Sequence, residues 1–321
     1  MPCSEASLAA GLPLIGSAGF HDTILAFELA PPWSARLVGS RAGDAGLDAA
    51  ITRIAADAKS VRLLALEPAS TGGESRVLCF RRGEWPFREH RRREFLVPRG
   101  SLACTLEELA FEGECGASSA TRDAGATRDL LVCTHGTRDA CCGRLGYPLY
   151  RELAALAAAR PRGEAAPSVR VWRCSHLGGH RFAPTLLDLP NGRLFGRVSI
   201  EDARRILDGG EDLAARVATV YRGRTVLPEA AQVVERALWM RLGAAFETAA
   251  VRADVRRDEG GFHVVMRADL EDGRVFEARG EVALDEDGAL LTPASCGRDP
   301  EPDTPWRLVA WELDEKKVVF S

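Results

Sequence analysis

Four residues between positions 131 and 198 constrain this chain more than any other feature of its sequence: Cys133, Cys142, His176 and His180. Eight residues separate the two cysteines, and three residues separate the two histidines. Two thiolates and two imidazoles form a ligand set that suits zinc or an iron–sulfur centre. The sequence therefore predicts a metal site, and the residue types by themselves leave the metal open.

The same stretch predicts a strand, a helix, a second strand, a hairpin and a second helix. An apolar strand over 129–136 precedes an amphipathic helix over 146–159, and an alternating strand over 169–174 follows. Residues 190–192, Pro-Asn-Gly, predict the hairpin turn, and Ser199 is a candidate cap for the last helix. This is the thioredoxin-like order, in which the first two strands lie parallel with a right-handed crossover.

That order predicts where each ligand lies. Cys133 ends the first strand, Cys142 lies on the loop that enters the first helix, and His176 and His180 follow the second strand. Ligands at the ends of adjacent parallel strands are a common site geometry in α/β folds. The Gly-Gly pair at 178–179 favours a loop between the histidines, because each glycine costs about 1 kcal/mol in a helix.

Three neighbouring residues compete with these ligands. His135 lies two residues from Cys133 and is expected to be structural or to support a ligand. Cys141 adjoins Cys142, and adjacent cysteines rarely both bind one ion, so Cys141 is expected to pack in the interior. Cys174, on the strand before His176, is the stand-in if the histidine assignment fails.

The segments CTHGTRDACC and CSHLGGHRFA, together with the C-x8-C and H-x3-H spacings, resemble the sucrase/ferredoxin-like family. The resemblance is strong over about residues 129–209, weaker before them and thin beyond. It implies a thioredoxin-like ferredoxin domain with a [2Fe–2S] cluster. One iron would be held by Cys133 and Cys142, and the other by His176 and His180.

Such a cluster implies an electron-transfer protein rather than a stand-alone enzyme. Neutral imidazoles in place of two thiolates remove negative charge, so the reduction potential is expected to rise. Each ligating histidine keeps a proton on its outer ring nitrogen, and we expect reduction to be coupled to protonation there. The redox partner is a protein whose identity the sequence leaves open.

Other functions fit the sequence less well. A structural zinc site on the same four residues is the main alternative, although zinc fingers separate their cysteines by only two to four residues. A thiol–disulfide enzyme would use a C-x-x-C motif, which does not occur in the chain. Sucrose hydrolysis, which the family name suggests, would need two positioned carboxylates, and no such pair stands out.

Composition narrows the class of protein. A net charge of -4 argues against a nucleic-acid binder. Nine scattered cysteines in 321 residues fit a reducing compartment with free thiols and a metal site. No apolar run is long enough to span a bilayer, and the N-terminus lacks the basic residues of a targeting segment, so a cytoplasmic protein is expected. Six arginines between 81 and 93 predict an exposed surface, or else a docking patch for an acidic redox partner or an anionic cofactor.

The predicted fold class is α/β: a thioredoxin-like ferredoxin domain over 126–210, an N-terminal α/β region over 1–125 and a C-terminal α+β region over 211–321. A small, polar composition predicts a linker or surface loop over 112–129, which contains Cys115. The C-terminal region is predicted to hold a helix and an antiparallel sheet, and its role is left open.

Smaller expectations concern single residues outside the central stretch. Thr105 is predicted to cap a helix, and His263 to pack inside the C-terminal sheet, because it alternates with apolar residues. Cys296 is expected to be isolated. Asp-Gly pairs at 272–273 and 287–288 predict hairpin turns.

Overall fold

A computed structural model of the chain describes residues 1–70, 73–111, 120–122, 127–160 and 168–316, with backbone alone at 120–122. Cys115 and most of the predicted linker lie outside these residues. Within the linker stretch, however, 120–122 and 127–129 belong to strands, so the loop prediction is wrong there.

The N-terminal part of the chain contains three α-helices and five strands among the described residues. In order they are α1 (Cys3–Ala9), β1 (Thr23–Glu28), α2 (Ala45–Asp57), β2 (Val61–Leu66), β3 (Glu74–Arg82), β4 (His90–Pro98), α3 (Leu102–Ala110) and β5 (Ala120–Arg122). Asp44 caps α2 by accepting a hydrogen bond from the Leu47 amide at 2.8 Å. Helix α3 begins three residues before Thr105, whose hydroxyl bonds the Ser101 carbonyl, so the predicted cap there is wrong.

The middle of the chain has the predicted order of elements. They are β6 (Thr127–Cys133), α4 (Ala140–Ala158), β7 (Ser168–Cys174), β8 (Leu186–Leu189), β9 (Arg193–Phe195) and α5 (Ile200–Asp208). Helix α4 begins six residues earlier than predicted, because Asp139 caps it by accepting from the Cys141 amide. Cys142 therefore lies inside the helix rather than on the loop before it.

The C-terminal part begins with short helices and ends in antiparallel strands. Its elements are α6 (Glu211–Ala214), α7 (Val217–Val220), β10 (Tyr221–Arg224), α8 (Glu229–Leu242), β11 (Ala250–Arg257), β12 (Phe262–Asp269), β13 (Val275–Leu284), β14 (Leu290–Pro293), β15 (Pro300–Asp303) and β16 (Trp306–Lys316). Strands β11, β12, β13 and β16 form one sheet, which packs on α8.

Three sequence expectations for this part are wrong. Cys296 is not isolated, because the fold brings its Sγ atom to 3.3 Å from that of Cys141. His263 faces solvent and pairs with Asp258, because its neighbours Val264 and Met266 occupy the buried face of β12. The Asp287-Gly288 pair lies in a short 3-10 turn, and β13 pairs with β12 and β16 rather than with β14. The other Asp-Gly pair, at 272–273, does connect β12 to β13 as a hairpin.

Among the described residues, ten strands form one sheet in the order β10-β9-β8-β6-β7-β2-β1-β3-β4-β5. Strands β6 and β7 are parallel, while β8 pairs antiparallel with β6 and β9 with β8. This confirms the thioredoxin-like order and the α/β fold class. Leu149 and Leu153 of α4 pack against the sheet with Leu130 and Val132 of β6, as the amphipathic pattern predicts.

The N-terminal part repeats the topology of the middle part. Strands β1 and β2 are parallel and connected through α2, β3 pairs antiparallel with β1, β4 pairs with β3, and α3 follows. The two halves meet where β2 and β7 pair antiparallel at Leu66 and Cys174. From this β2–β7 seam outward, one half has the order β2-β1-β3-β4-β5 and the other has the order β7-β6-β8-β9-β10. The fold is therefore internally duplicated in its topology.

The sheet also crosses the predicted domain boundaries. Strand β7 pairs with β2 across 125/126, and β10 pairs with β9 across 210/211. The division of the chain into 1–125, 126–210 and 211–321 remains a prediction. In the described part of the chain, no helix has the length and apolar character needed to cross a membrane.

Candidate metal centre

Strand β6 and helix α4 position the two predicted cysteine ligands. Cys133 is the last residue of β6, and Cys142 is the third residue of α4. The helix approaches the strand closely at Gly146, where a Cβ atom would lie 1.9 Å from the Cys133 carbonyl oxygen. Because any larger residue would collide with the backbone there, Gly146 lets the helix bring Cys142 to the end of the strand.

Three of the four predicted ligands lie together. One donor atom from each of Cys133, Cys142 and His176 falls within 4.8 Å of the other two. The Cys142 Sγ and His176 Nδ1 atoms are 3.8 Å apart. Both thiols are buried, whereas the His176 ring is half-buried. Two sulfur donors and one nitrogen donor therefore converge at the end of the parallel strand pair.

His180 lies beside this group, but its ring nitrogens are not within 4.8 Å of all three donor atoms. Its ring centroid is 5.2 Å from that of His176. The His180 Nε2–H bonds the carbonyl of Ala294, which leaves Nδ1 as the acceptor nitrogen. That Nδ1 atom is buried and has no hydrogen-bond partner among the described residues. A buried nitrogen with unmet bonding capacity is consistent with a metal ligand, and the set of four remains a prediction.

The segment between the histidines is a loop, as the two glycines predict. Gly178 and Gly179 have φ values of 90° and 65°, which side-chain-bearing residues rarely adopt. A Cβ atom on Gly179 would also lie 2.4 Å from the Arg222 guanidinium. The loop therefore needs glycine both for its backbone conformation and for the close approach of Arg222.

Two arginines outside the motif hold this loop. Arg222 of β10 donates to the Gly178 carbonyl at 2.9 Å and to Ser17. Arg62 of β2 donates to the His176 carbonyl. The sequence analysis missed both, because single arginines in distant strands carry no local signal.

The charges of these arginines also bear on the thiols. Burial lowers the pKa of Arg222 to about 9, and the nearby Cys133 and Cys142 partly oppose that shift. Burial also lowers the pKa of Arg62, and again Cys133 opposes it. Both guanidinium groups thus lie where they would offset negative charge on thiolates.

The thiols of Cys133 and Cys142 differ in their pKa values. A hydrogen bond from the Cys142 thiol holds the pKa of Cys133 well below its ordinary value, despite burial, and His176 adds to this effect. The same contact, together with burial, raises the pKa of Cys142. Cys133 is therefore the sulfur that ionises first, and a thiolate is the form of cysteine that binds metal.

The three competing residues have other contacts. His135 accepts a hydrogen bond from the His176 amide at Nδ1 (3.1 Å), which holds the His176 backbone. Its Nε2–H donates to the Ser34 carbonyl (3.0 Å), which fixes the His135 ring, so both ring nitrogens are occupied. Cys174 is buried opposite Cys133 in the strand register, and burial raises its pKa well above the ordinary value. Cys141 is buried but contacts Cys3 and Cys296 on the other side of α4.

Comparisons with known proteins match a part of the chain that includes the candidate metal centre. The profile described as sucrase/ferredoxin-like matches residues 14–223. A curated relative, "Altered inheritance of mitochondria protein 32" of Meyerozyma guilliermondii, is 30% identical over 97 residues, which cover 29% of this chain and 33% of that protein. The match therefore spans about a third of the relative's length, and no solved structure matches the chain. Since the profile covers more than half of the sequence, the chain belongs to the sucrase/ferredoxin-like family.

Proposed function

We propose that this protein transfers single electrons through a [2Fe–2S] cluster held by Cys133, Cys142, His176 and His180. The observation that carries the proposal is the convergence of two buried thiols and one imidazole beside a second imidazole. The buried Nδ1 atom of that second ring has no hydrogen-bond partner in the described part of the chain. Membership of a family named for ferredoxins supports it.

The residues present fit such a group in donor type and in charge. Thiolate and imidazole are the ligands that iron–sulfur clusters use in proteins. Cys133 is set to ionise, and Arg62 and Arg222 supply positive charge beside it. When bound, the cluster supplies a one-electron couple whose potential is higher with two neutral imidazoles than with four thiolates.

The protein's own groups hold protons and limit water around the ligands. The buried cysteines keep solvent from the sulfur side, while His176 lines an open cleft. His180 holds a proton on Nε2 against the Ala294 carbonyl. We therefore propose that the outer ring nitrogens exchange a proton when the redox state changes.

Proton coupling has a measurable consequence. The potential should fall with rising pH, by up to about 59 mV per unit when one proton accompanies one electron. Replacing His176 with cysteine should lower the potential and reduce the pH dependence, because a thiolate adds charge and removes one titrating ring. A redox titration from neutral to alkaline pH tests this, and a flat profile in a protein with an intact cluster would contradict it.

A protein partner is part of the proposal. Three exposed cations, Arg36, Lys59 and Arg138, line the cleft beside His176. An acidic partner surface would be steered to this face, and its association would weaken at high ionic strength. Within the 81–93 cluster, Arg88, Arg91 and Arg93 are exposed. Arg92 is half-buried and pairs with Glu94 and Asp129. A cytoplasmic location remains a prediction from the sequence.

The decisive experiment is metal and sulfide analysis of the whole chain after anaerobic purification. A reddish-brown protein with near-stoichiometric iron and acid-labile sulfide is expected. Cys133→Ser should lose the iron, and Cys104→Ser, at an exposed cysteine on α3, is the matched control. Colourless, iron-free wild-type protein would overturn the proposal.

A structural zinc ion on the same residues is the second candidate. The compactness of Cys133, Cys142 and His176 favours it, because donors within 4.8 Å of one another also suit a single tetrahedral ion. Zinc without iron in the anaerobic protein, lost in Cys133→Ser, would support this alternative.

A further inference from the structure

A second group of metal-ligating side chains lies on the other side of the α4 N-terminus. It consists of Cys3, Asp139, Cys141 and Cys296, and one donor atom from each lies within 4.8 Å of the others. Cys3 and Asp139 and Cys141 are buried, and Cys296 is half-buried. None of these four residues belongs to the predicted cluster ligands. We propose that they bind one zinc ion.

The distances within the group match tetrahedral zinc. A Zn–S bond of about 2.3 Å places two sulfur ligands about 3.8 Å apart. The Cys3–Cys141, Cys3–Cys296 and Cys141–Cys296 sulfur pairs are separated by 3.7, 3.6 and 3.3 Å. For sulfur and carboxylate oxygen the same geometry gives about 3.5 Å, and Cys3 Sγ lies 3.6 Å from Asp139 Oδ1. All three cysteines are free thiols, since a disulfide would bring two sulfurs to about 2.05 Å.

Hydrogen bonds orient the carboxylate as they do around protein metal sites. Asp139 Oδ1 accepts from the Cys141 amide at 2.9 Å, which leaves a lone pair for a metal. Asp139 Oδ2 accepts from the Cys296 amide at 2.8 Å and the Ser295 hydroxyl at 2.9 Å. Such outer contacts fix the direction of a ligand. They also lower the pKa of Asp139 below its ordinary range although burial alone would raise it.

The surroundings supply partners for the charge of three thiolates. The Ser4 hydroxyl donates to Cys141 Sγ at 3.1 Å. Cys141 is the second residue of the 19-residue helix α4, where the helix dipole favours negative charge. Without a metal, burial raises the pKa values of Cys3 and Cys296, so zinc binding would release protons from them.

Three distant segments of the chain meet at this group. Cys3 begins α1, Cys141 lies in α4, and Cys296 lies between β14 and β15. A zinc ion would therefore fasten the N-terminus and the 294–296 segment to α4. The same segment presents the Ala294 carbonyl to His180, so the zinc site would support one candidate ligand of the other centre.

The test is zinc analysis of the whole chain, expressed in zinc-replete medium and purified anaerobically. We expect one zinc per chain, and X-ray absorption at the zinc edge should show three sulfurs and one oxygen. Cys3→Ser and Cys296→Ser should reduce bound zinc at least about tenfold, whereas Cys104→Ser should not. Exchange of the wild-type zinc for Co²⁺ should give thiolate-to-cobalt charge-transfer absorption, which needs no variant to fold.

The outcomes separate this inference from the proposed cluster. Zinc that remains in Cys133→Ser, with the three-sulfur environment, supports the inference whether or not iron is present. Zinc lost in Cys133→Ser, or bound by two sulfurs and two nitrogens, belongs to the other centre and overturns it. Zinc-free wild-type protein, or a Cys141–Cys296 disulfide in the anaerobic protein, also overturns it.

Discussion

Cys141 and Cys142 are neighbours in sequence, yet their side chains enter different groups. Cys142 faces Cys133 and His176, whereas Cys141 faces Cys3 and Cys296. This follows from helix geometry, because successive residues of an α-helix point about 100° apart. The C-x8-C spacing therefore selects the cysteine that reaches the first group.

The two cysteines should give opposite results when replaced. Cys142→Ser is expected to abolish iron binding, because it removes a proposed cluster ligand. Cys141→Ser should keep the iron and lose the zinc. Iron and zinc analysis of both variants, purified anaerobically, measures this. If Cys141→Ser instead removes the iron, Cys142 is not the ligand.

His90 should make the stability of the fold depend on pH. Burial lowers its pKa to about 4, with the Arg224 charge also lowering it, although Nδ1 bonds the Pro190 carbonyl. The unfolded chain binds a proton between pH 6.5 and 4 that the folded chain does not, so stability is full above 6.5 and falls as pH drops through this window. The loss is about 3 kcal/mol at most.

Urea unfolding at pH 7 and pH 5 tests the role of His90. His90→Asn should flatten the change in unfolding free energy between the two pH values. Some dependence should remain in His90→Asn, because burial also lowers the pKa of His21 to about 4. An unaltered slope in His90→Asn would contradict the assignment.

At the scale of single elements, α5 has a complete N-terminal cap. Ser199 Oγ accepts from the Asp202 amide at 3.1 Å, and Asp202 Oδ2 accepts from the Ser199 amide at 3.2 Å. Each half of this capping box satisfies a backbone donor that the helix itself leaves unpaired. Ser101 occupies the corresponding position of α3 but makes no side-chain cap bond.

These two serines form a matched pair for mutation. Ser199→Ala should lower the free energy of unfolding by about 1 kcal/mol, since the cap bond is lost. Ser101→Ala should change it by less than about 0.5 kcal/mol. Chemical denaturation of both variants measures the difference. Equal effects would show that the capping box does not stabilise α5.

At the scale of the whole molecule, a buried ion pair joins α8 to the edge of the large sheet. Arg224 Nε lies 2.7 Å from Glu235 Oε1, and the two side chains are 1% and 0% exposed. Tyr221 also donates to Glu235, at 2.7 Å. Helix α8 packs against the four-stranded sheet, so its ion pair with β10 connects that sheet to the ten-stranded sheet.

Glu235→Ala should therefore destabilise the fold by about 3–5 kcal/mol, because it leaves the Arg224 charge buried without its partner. The double variant Arg224→Met, Glu235→Leu should recover part of the loss, since the Arg224 charge is removed together with its partner, although the Tyr221 hydroxyl loses its acceptor. Arg252→Ala, in an exposed ion pair, should cost less than about 1 kcal/mol. Denaturation of all three is the measurement, and a mild effect of Glu235→Ala would contradict the buried-charge argument.

The sequence by itself determined the features that depend on local order. Alternating and helical patterns predicted β6, α4, β7, the β8–β9 hairpin and α5. The spacing of apolar residues within one segment indicates which face of that segment is buried. Paired spacings predicted that Cys133, Cys142, His176 and His180 would converge at the ends of adjacent strands, and three of these four lie within 4.8 Å of one another. The Gly178-Gly179 loop was predicted for the same local reason.

Only the tertiary structure decided the contacts between distant segments. Cys3 and Cys296 lie 293 positions apart in the sequence, and they meet at Cys141 because the fold brings the N-terminus and the β14–β15 connection to α4. Arg62 and Arg222 likewise reach the histidine loop from strands on either side of it. The topological duplication about the β2–β7 seam is another such feature. Pairing between strands far apart in the chain depends on how their surfaces pack, and no single segment carries that information.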